Sequence, residues 1–264
     1  MNPAKRILAV LLCAALLIGV LCACGKTTGT GTGTNTNDDS VAQQLYDADV
    51  AAPDLTNATE ITLSGADDVT ITDGGVYVLT GTLTDGRVLV NAPGADVTLV
   101  LRDADITCTD SSALYIYKAA NVLVYLPDGT ASTLTDGSSY DDSDSFSSTA
   151  DEEPNACLYS KSDLVIAGGG TLTVTGNTNN GITGKDTLKI EGTAVNVTAA
   201  NHGINGKDCL VLKQANVTVT SGGDALRATN DSDSALGCIL IGASVLTLTA
   251  GEDGIQAETT LTLF

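Results

Sequence analysis

Tryptophan is absent from the 264 residues, and aromatic residues make up only 3% of the chain. A sugar platform built on stacked indole rings is therefore excluded. Positive charge is also scarce, with 12 Lys and Arg against 32 Asp and Glu, a net charge of −20. Loss of Lys5 and Arg6 with an N-terminal leader would take −20 to −22. A surface of that sign repels phosphate, so neither nucleic acid nor anionic lipid is a partner to expect. His202 is the single histidine, and Cys108, Cys157, Cys209 and Cys238 lack the close pairing of a zinc site. These two shortages argue against a zinc enzyme. No Gly-x-Ser-x-Gly elbow occurs, and His202 has no visible nucleophile beside it. Helical periodicity is missing beyond the leader.

One long apolar run is present, "ILAVLLCAALLIGVLCAC" behind Lys5 and Arg6. It is too short and wrongly flanked for a stable membrane span and reads as a secretory signal. Its end, Leu21-Cys22-Ala23-Cys24 before Gly25, resembles a bacterial lipobox. Residues 1–24 are then a lipoprotein signal peptide, Cys24 is lipidated, and the lipid is the only membrane contact. An ordinary signal cleaved after a small residue is the alternative. Residues 25–56 open with "GKTTGTGTGTNTNDDS", a low-complexity alternation that builds no core and is expected to be a flexible tether. Anchor and tether together place a domain on the outer face of the cell membrane.

The remainder, 57–264, repeats itself. "NGITGKDTLKI" at 180–190 returns as "HGINGKDCLVL" at 202–212. Ile182, Ile204, Leu226 and Ile255 head successive units, spaced by 22, 22 and 29 residues, and Leu158 precedes them by 24. Each unit carries further apolar pairs, such as Leu188/Ile190 with Val195/Val197, that alternate with Thr, Asn or Lys. Alternation of period two marks a strand with one buried face. Three short strands per coil of about 22 residues is the pattern of an all-β parallel β-helix, a solenoid whose coils bury their cores on one another. A β-sandwich competes but does not demand a fixed period. Two stretches break the period: an acidic one between Leu134 and Leu158, and "TNDSDSAL" at 229–236. The sequence stops within a coil at "TTLTLF", so missing C-terminal coils are expected.

Stacking of coils turns the repeat into ladders of side chains. Lys161, Lys185 and Lys207 share one ladder, with Arg227 near it. Stacked ammonium groups repel and so call for acidic company. The adjacent Asp186 and Asp208 supply it on a solvated edge, or the carboxylates of an acidic glycan do. Arg suits a carboxylate because it binds in bidentate fashion. Thr173, Asn196, Thr218 and Thr247 form a second ladder, with Thr175, Thr198, Thr220 and Thr249 two residues on. Threonine is the ordinary surface residue of a sheet; such a flat hydroxyl face also suits a cellulose chain or ice. Cys209 and Cys238 fall in register on neighbouring coils, a separation that allows a disulfide or two stacked thiols.

"ACLYSKSDLVIAGGGTLTVTGNTNNGITGKDTLKI", "HGINGKDCLVL", "GGDALRATNDSDSALGCILI" and "GEDGIQAETTLTL" resemble the bacterial carbohydrate-binding β-helix family, similar in fold to polysaccharide lyases. The resemblance covers about 100–264 and fades toward residue 60. It implies a right-handed parallel β-helix that binds plant-type polysaccharide such as cellulose or polygalacturonate (pectin-like), with bound calcium and no established catalysis. Where that family commonly has Asp-Gly-Ile corners, this chain has Asn180-Gly181 and His202-Gly203. A calcium-dependent polysaccharide lyase and a structural or ice-binding surface protein are the alternatives, and a monomer is expected.

Calcium also has candidates among the residues themselves. Asp224 and Asp253 head adjacent coils, and two carboxylates one strand spacing apart repel unless a cation lies between them. Glu252 stands beside Asp253, and backbone carbonyls of the Gly-rich turn would complete the oxygen shell that Ca2+ prefers. A second candidate joins Asp186 and Asp208 to Asp231 and Asp233 of the 229–236 insertion. The leader makes the first testable statement. Replacing Cys24 by Ser should move the protein from the membrane fraction to the medium; retention in the membrane fraction would remove the anchor from the account.

Overall fold

A computed structural model describes residues 41–140 and 154–264. Cys24, most of the tether and the acidic stretch 141–153 lie outside them. Among the described residues every paired strand is parallel to its neighbours, and the strands form two sheets of 14 and 8. The smaller sheet collects the first strand of each coil. The larger collects the second and third strands, joined through the long strand Asp96–Cys108. An arrangement consistent with a parallel β-helix results.

One coil consists of Asn180–Gly184, Thr187–Glu191 and Ala194–Ala199, and the next of Ile204–Gly206, Cys209–Lys213 and Asn216–Ser221. Ile182 pairs with Ile204, Leu188 with Leu210 and Val195 with Val217, as the 22-residue spacing requires. Period-two alternation sends these apolar residues inward to one continuous core running from Leu63 to Ile241. Glycines at the corners follow from that core. A Cβ at Gly181 would lie 2.2 Å from Val197 Cγ1, and one at Gly203 would lie 2.3 Å from Val219 Cγ1. Corners between second and third strands need a left-handed residue, supplied at successive coils by Gly192, Gln214 and Ala243.

The stretch expected to be tether is not all tether. A short helix, α1 (Val41–Asp47), lies against the outer face of the sheet near Cys209–Lys213 and Cys238–Gly242. Leu45 and Tyr46 pack against Cys209, Val211, Cys238 and Leu240, and the Tyr46 ring stacks on Phe264 with centroids 4.4 Å apart. Lys189, 3% exposed, donates from Nζ to the carbonyls of Leu45 and Ala48, which α1 leaves without helical partners. The same ammonium pairs with Glu191 at 2.6 Å, and the Val50 amide donates to the other oxygen of that carboxylate. Burial lowers the Lys189 pKa. Lys213 pairs with Asp49 at 2.6 Å on the neighbouring coil. The domain thus begins well before residue 57.

This strap depends on a buried ion pair, so breaking one partner should be costly. Lys189→Ala should lose about 3 kcal/mol in urea unfolding, because it strands a buried carboxylate. It should also expose the chain near residue 48 to protease. The apolar pair Lys189→Met/Glu191→Leu should cost clearly less. Equal losses for the two variants would show that the ion pair does not hold the strap.

Candidate polysaccharide-binding face and corner ladder

The smaller sheet turns one row of side chains away from the core. In register these are Tyr115, Tyr159, Thr183, Asn205, Arg227 and Gln256. The row changes character along its length. Tyr115 and Tyr159 are fully buried, with ring centroids 5.7 Å apart, in a cluster with Leu89 and Ala156. Beyond Thr183 the row is polar and partly open. Two residues further along each strand comes the lysine ladder, marked by backbone bonds from Lys185 to Ser160 and from Lys207 to Gly184. Lys161 Nζ lies 4.8 Å from the Tyr117 ring centroid, a cation–π contact. Lys185 and Lys207 are half-buried and make no ion pair among the described residues. The expected pairing of the lysine edge with Asp208 is absent for a local reason. Asp208 is buried and accepts from Asn230 Nδ2 at 2.6 Å, an amide that closes the 229–236 insertion.

At the turn into each of these strands a second ladder runs through Asn180, His202, Asp224 and Asp253. The first three side chains each accept the backbone N–H of the counterpart one coil on. Asn180 Oδ1 takes His202 N at 3.1 Å, His202 Nδ1 takes Asp224 N at 2.9 Å, and Asp224 Oδ1 takes Asp253 N at 3.0 Å. Asn and His can therefore stand in for Asp, because all three offer an acceptor there. The second Asp224 oxygen lies 3.3 Å from His202 Nδ1 and 3.6 Å from Arg227 Nη1. Arg227 Nη1 also contacts His202 Nε2. Burial, then the Arg227 charge, lowers the His202 pKa and favours the neutral ring.

The two metal candidates are placed differently by the geometry, and the first keeps Asp224 and Glu252 together. Among the described residues, the one convergent set of three or more ligand-bearing groups is His202, Asp224 and Glu252, with ligand atoms within 4.8 Å of one another. Asp253 is not in it: its backbone N–H donates to Asp224 Oδ1, and its side chain is exposed. Asp186, Asp208, Asp231 and Asp233 do not converge, since Asn230 occupies Asp208 and the Asp233 carboxylate turns to the Ala235 amide. The convergent set also fits calcium poorly. It places an imidazole nitrogen and a guanidinium where that ion takes oxygen ligands. Sequence reasoning passed over His202 as a ligand-bearing group because its partners come from coils 22 and 50 residues later. The register of Ile204 with Leu226 and of Leu226 with Ile255 was the clue.

With the geometry in place, residues 65–263 match the family model described as carbohydrate-binding domain-containing protein. The chain belongs to this carbohydrate-binding domain family. A relative of the same description, from Acetivibrio thermocellus, is 34% identical over 200 residues, which is 75% of this chain. The chain spans 66% of that relative's length. Among solved structures, the polysaccharide lyase-like protein from C. thermocellum, in a gadolinium derivative, superposes with a TM-score of 0.68 at 28% identity. That match covers 78% of this chain and 96% of the other.

Two further features of this carbohydrate-binding domain bear on its surfaces. Cys209 and Cys238 are in register and joined as a disulfide beneath α1. Cys108 and Cys157 are buried free thiols, and burial pushes the Cys108 pKa up to about 12. On the opposite sheet, Thr173, Asn196, Thr218 and Thr247 stack in register, as do Thr175, Thr198, Thr220 and Thr249. Thr133 and Thr135 extend both rows by one coil.

Proposed function

We propose that the domain is a non-catalytic, surface-displayed module that holds acidic plant-type polysaccharide against the lysine ladder of its smaller sheet. Lys185 and Lys207 carry the reading. In a protein with few cations they sit on adjacent coils, partly open and without ion-pair partners among the described residues. Uronate carboxylates spaced along a glycan supply the charge that this ladder lacks. Lys161, braced on Tyr117, and Arg227 flank the pair. Right-handed winding and display through a lipidated Cys24 belong to the same proposal. Calcium enters as a bridge between glycan carboxylates and the exposed Asp231, Asp233 and Asp253, which offsets the repulsion between an acidic protein and a polyuronate.

The lyase reading needs a lysine or arginine that is deprotonated near neutral pH and poised over the sugar. Favouring binding alone, Lys185 and Lys207 are only half-buried, and Arg227 is turned to Asp224 and His202. The test is retention on immobilised polygalacturonate in millimolar calcium, with ultraviolet absorbance of unsaturated product followed in parallel. Wild type should be retained without product. Lys185→Ala/Lys207→Ala should weaken retention about tenfold or more, as expected for loss of two charge-assisted contacts. Unsaturated product from wild type that disappears in the double variant would replace this reading with the lyase.

A further inference from the structure

The cluster of His202, Asp224 and Glu252 has the outline of a metal site, yet its positive charge comes from within the chain. Three coils contribute to it. Glu252 follows Gly223 in a ladder with Asn179 and Asn201, marked by backbone bonds from Asn201 to Asn179, from Gly223 to Asn201 and from Glu252 to Gly223. The missing side chain at Gly223 lets the neighbouring side chains approach that ladder closely. A Cβ there would lie 2.6 Å from His202 Nδ1 and 2.8 Å from Asn201 Oδ1. Asn201 Nδ2 donates to Asn179 Oδ1 at 2.8 Å, so its own oxygen faces Gly223 and His202. The bare Gly223 backbone thus lets an amide oxygen and an imidazole close in on it, beside the two carboxylates of Asp224 and Glu252, whose ligand atoms lie within 4.8 Å of that of His202.

Arg227 closes this arrangement. Its guanidinium rests against His202 Nε2 and lies 3.6 Å from the buried Asp224 carboxylate, whose side chain is 8% exposed. The guanidinium is loosely tied elsewhere, because its buried Nε has no hydrogen-bond partner. We propose that Arg227 is the resident cation of a latent divalent-metal site formed by His202, Asp224, Glu252 and Asn201. In the wild-type protein it makes this junction of coils independent of metal. With Arg227 removed and His202 Nδ1 released from the Asp224 amide to the metal, the donor set has one nitrogen and three groups offering oxygen, which suits a metal of the zinc class better than calcium. With His202 also replaced by Asp, the set becomes all oxygen and suits calcium.

The proposal concerns the corner alone and stands whether or not the lysine ladder binds glycan. Thermal melts of the purified domain, in EDTA, zinc chloride or calcium chloride, test it together with calorimetric titration of each ion. Wild type should melt at one temperature in all three and show no stoichiometric zinc binding. Arg227→Ala should melt lower in EDTA, and zinc near 100 times its dissociation constant should raise its melting point by about 5–10 °C. Calcium should do less. Arg227→Ala/His202→Asp should reverse that order, and Arg227→Lys, which keeps a cation, should stay indifferent to both ions. If Arg227→Ala does not fold, Arg227→Gln, which keeps a polar amide beside His202 Nε2 without the charge, carries the comparison. Stoichiometric zinc binding by wild type that is lost in His202→Asn would overturn the proposal. So would metal indifference in the charge-removed variant. Asn is the suitable probe because Asn180 already shows that it can hold the ladder's backbone bond.

Discussion

In a stack of parallel coils every residue has its own counterparts for neighbours, one coil before and one coil after. That constraint governs the molecule. Apolar residues gain from it, since Ile182, Ile204 and Leu226 continue one another's burial and the core extends without interruption. Polar and charged residues do not gain, because identical charges stacked at strand spacing repel. Each charged or polar ladder therefore needs its own resolution, and the structure contains several different ones.

At the corners the resolution is a relay in which side-chain acceptors take backbone donors along Asn180, His202, Asp224 and Asp253. Carboxylates need not stack side by side there, because the side chain of one coil meets the amide of the next. On the outer face of the second strands, Lys189, Glu191 and Lys213 are resolved by a segment from outside the repeat, the α1 strap with Asp49. The threonine rows carry no charge at all and need no partner. Lys185 and Lys207 keep stacked positive charge without an ion pair among the described residues, and that imbalance is what the proposed glycan would answer.

The parallel coil register was legible because its signal is periodic. Leu188, Leu210 and Ile239 follow one another in the sequence as they do in the sheet, and the register of Cys209 with Cys238 followed from the same alignment. Contacts without a period were hidden. The strap joins residues 141 to 166 positions apart, through a seven-residue helix in a stretch that reads as linker. Lys189 and Glu191 occupy outward positions that resemble ordinary surface alternation, although both are buried. The corner chemistry was half legible. Proximity of Asp224 to Asp253 was readable from spacing, but which atom faces which was not, and that distinction replaced a carboxylate pair by a carboxylate and an amide.

The proposed glycan contact lies on the lysine ladder. Hydrogen exchange of the domain with and without a saturating oligogalacturonide, in millimolar calcium, tests this directly because it maps contact without altering a residue. Protection is expected at 183–187, 205–209 and 226–229, which border Lys185, Lys207 and Arg227, with little change across 171–176, 194–199 and 216–221 on the threonine face. Protection confined to the threonine face, with the lysine coils unchanged, would contradict the account.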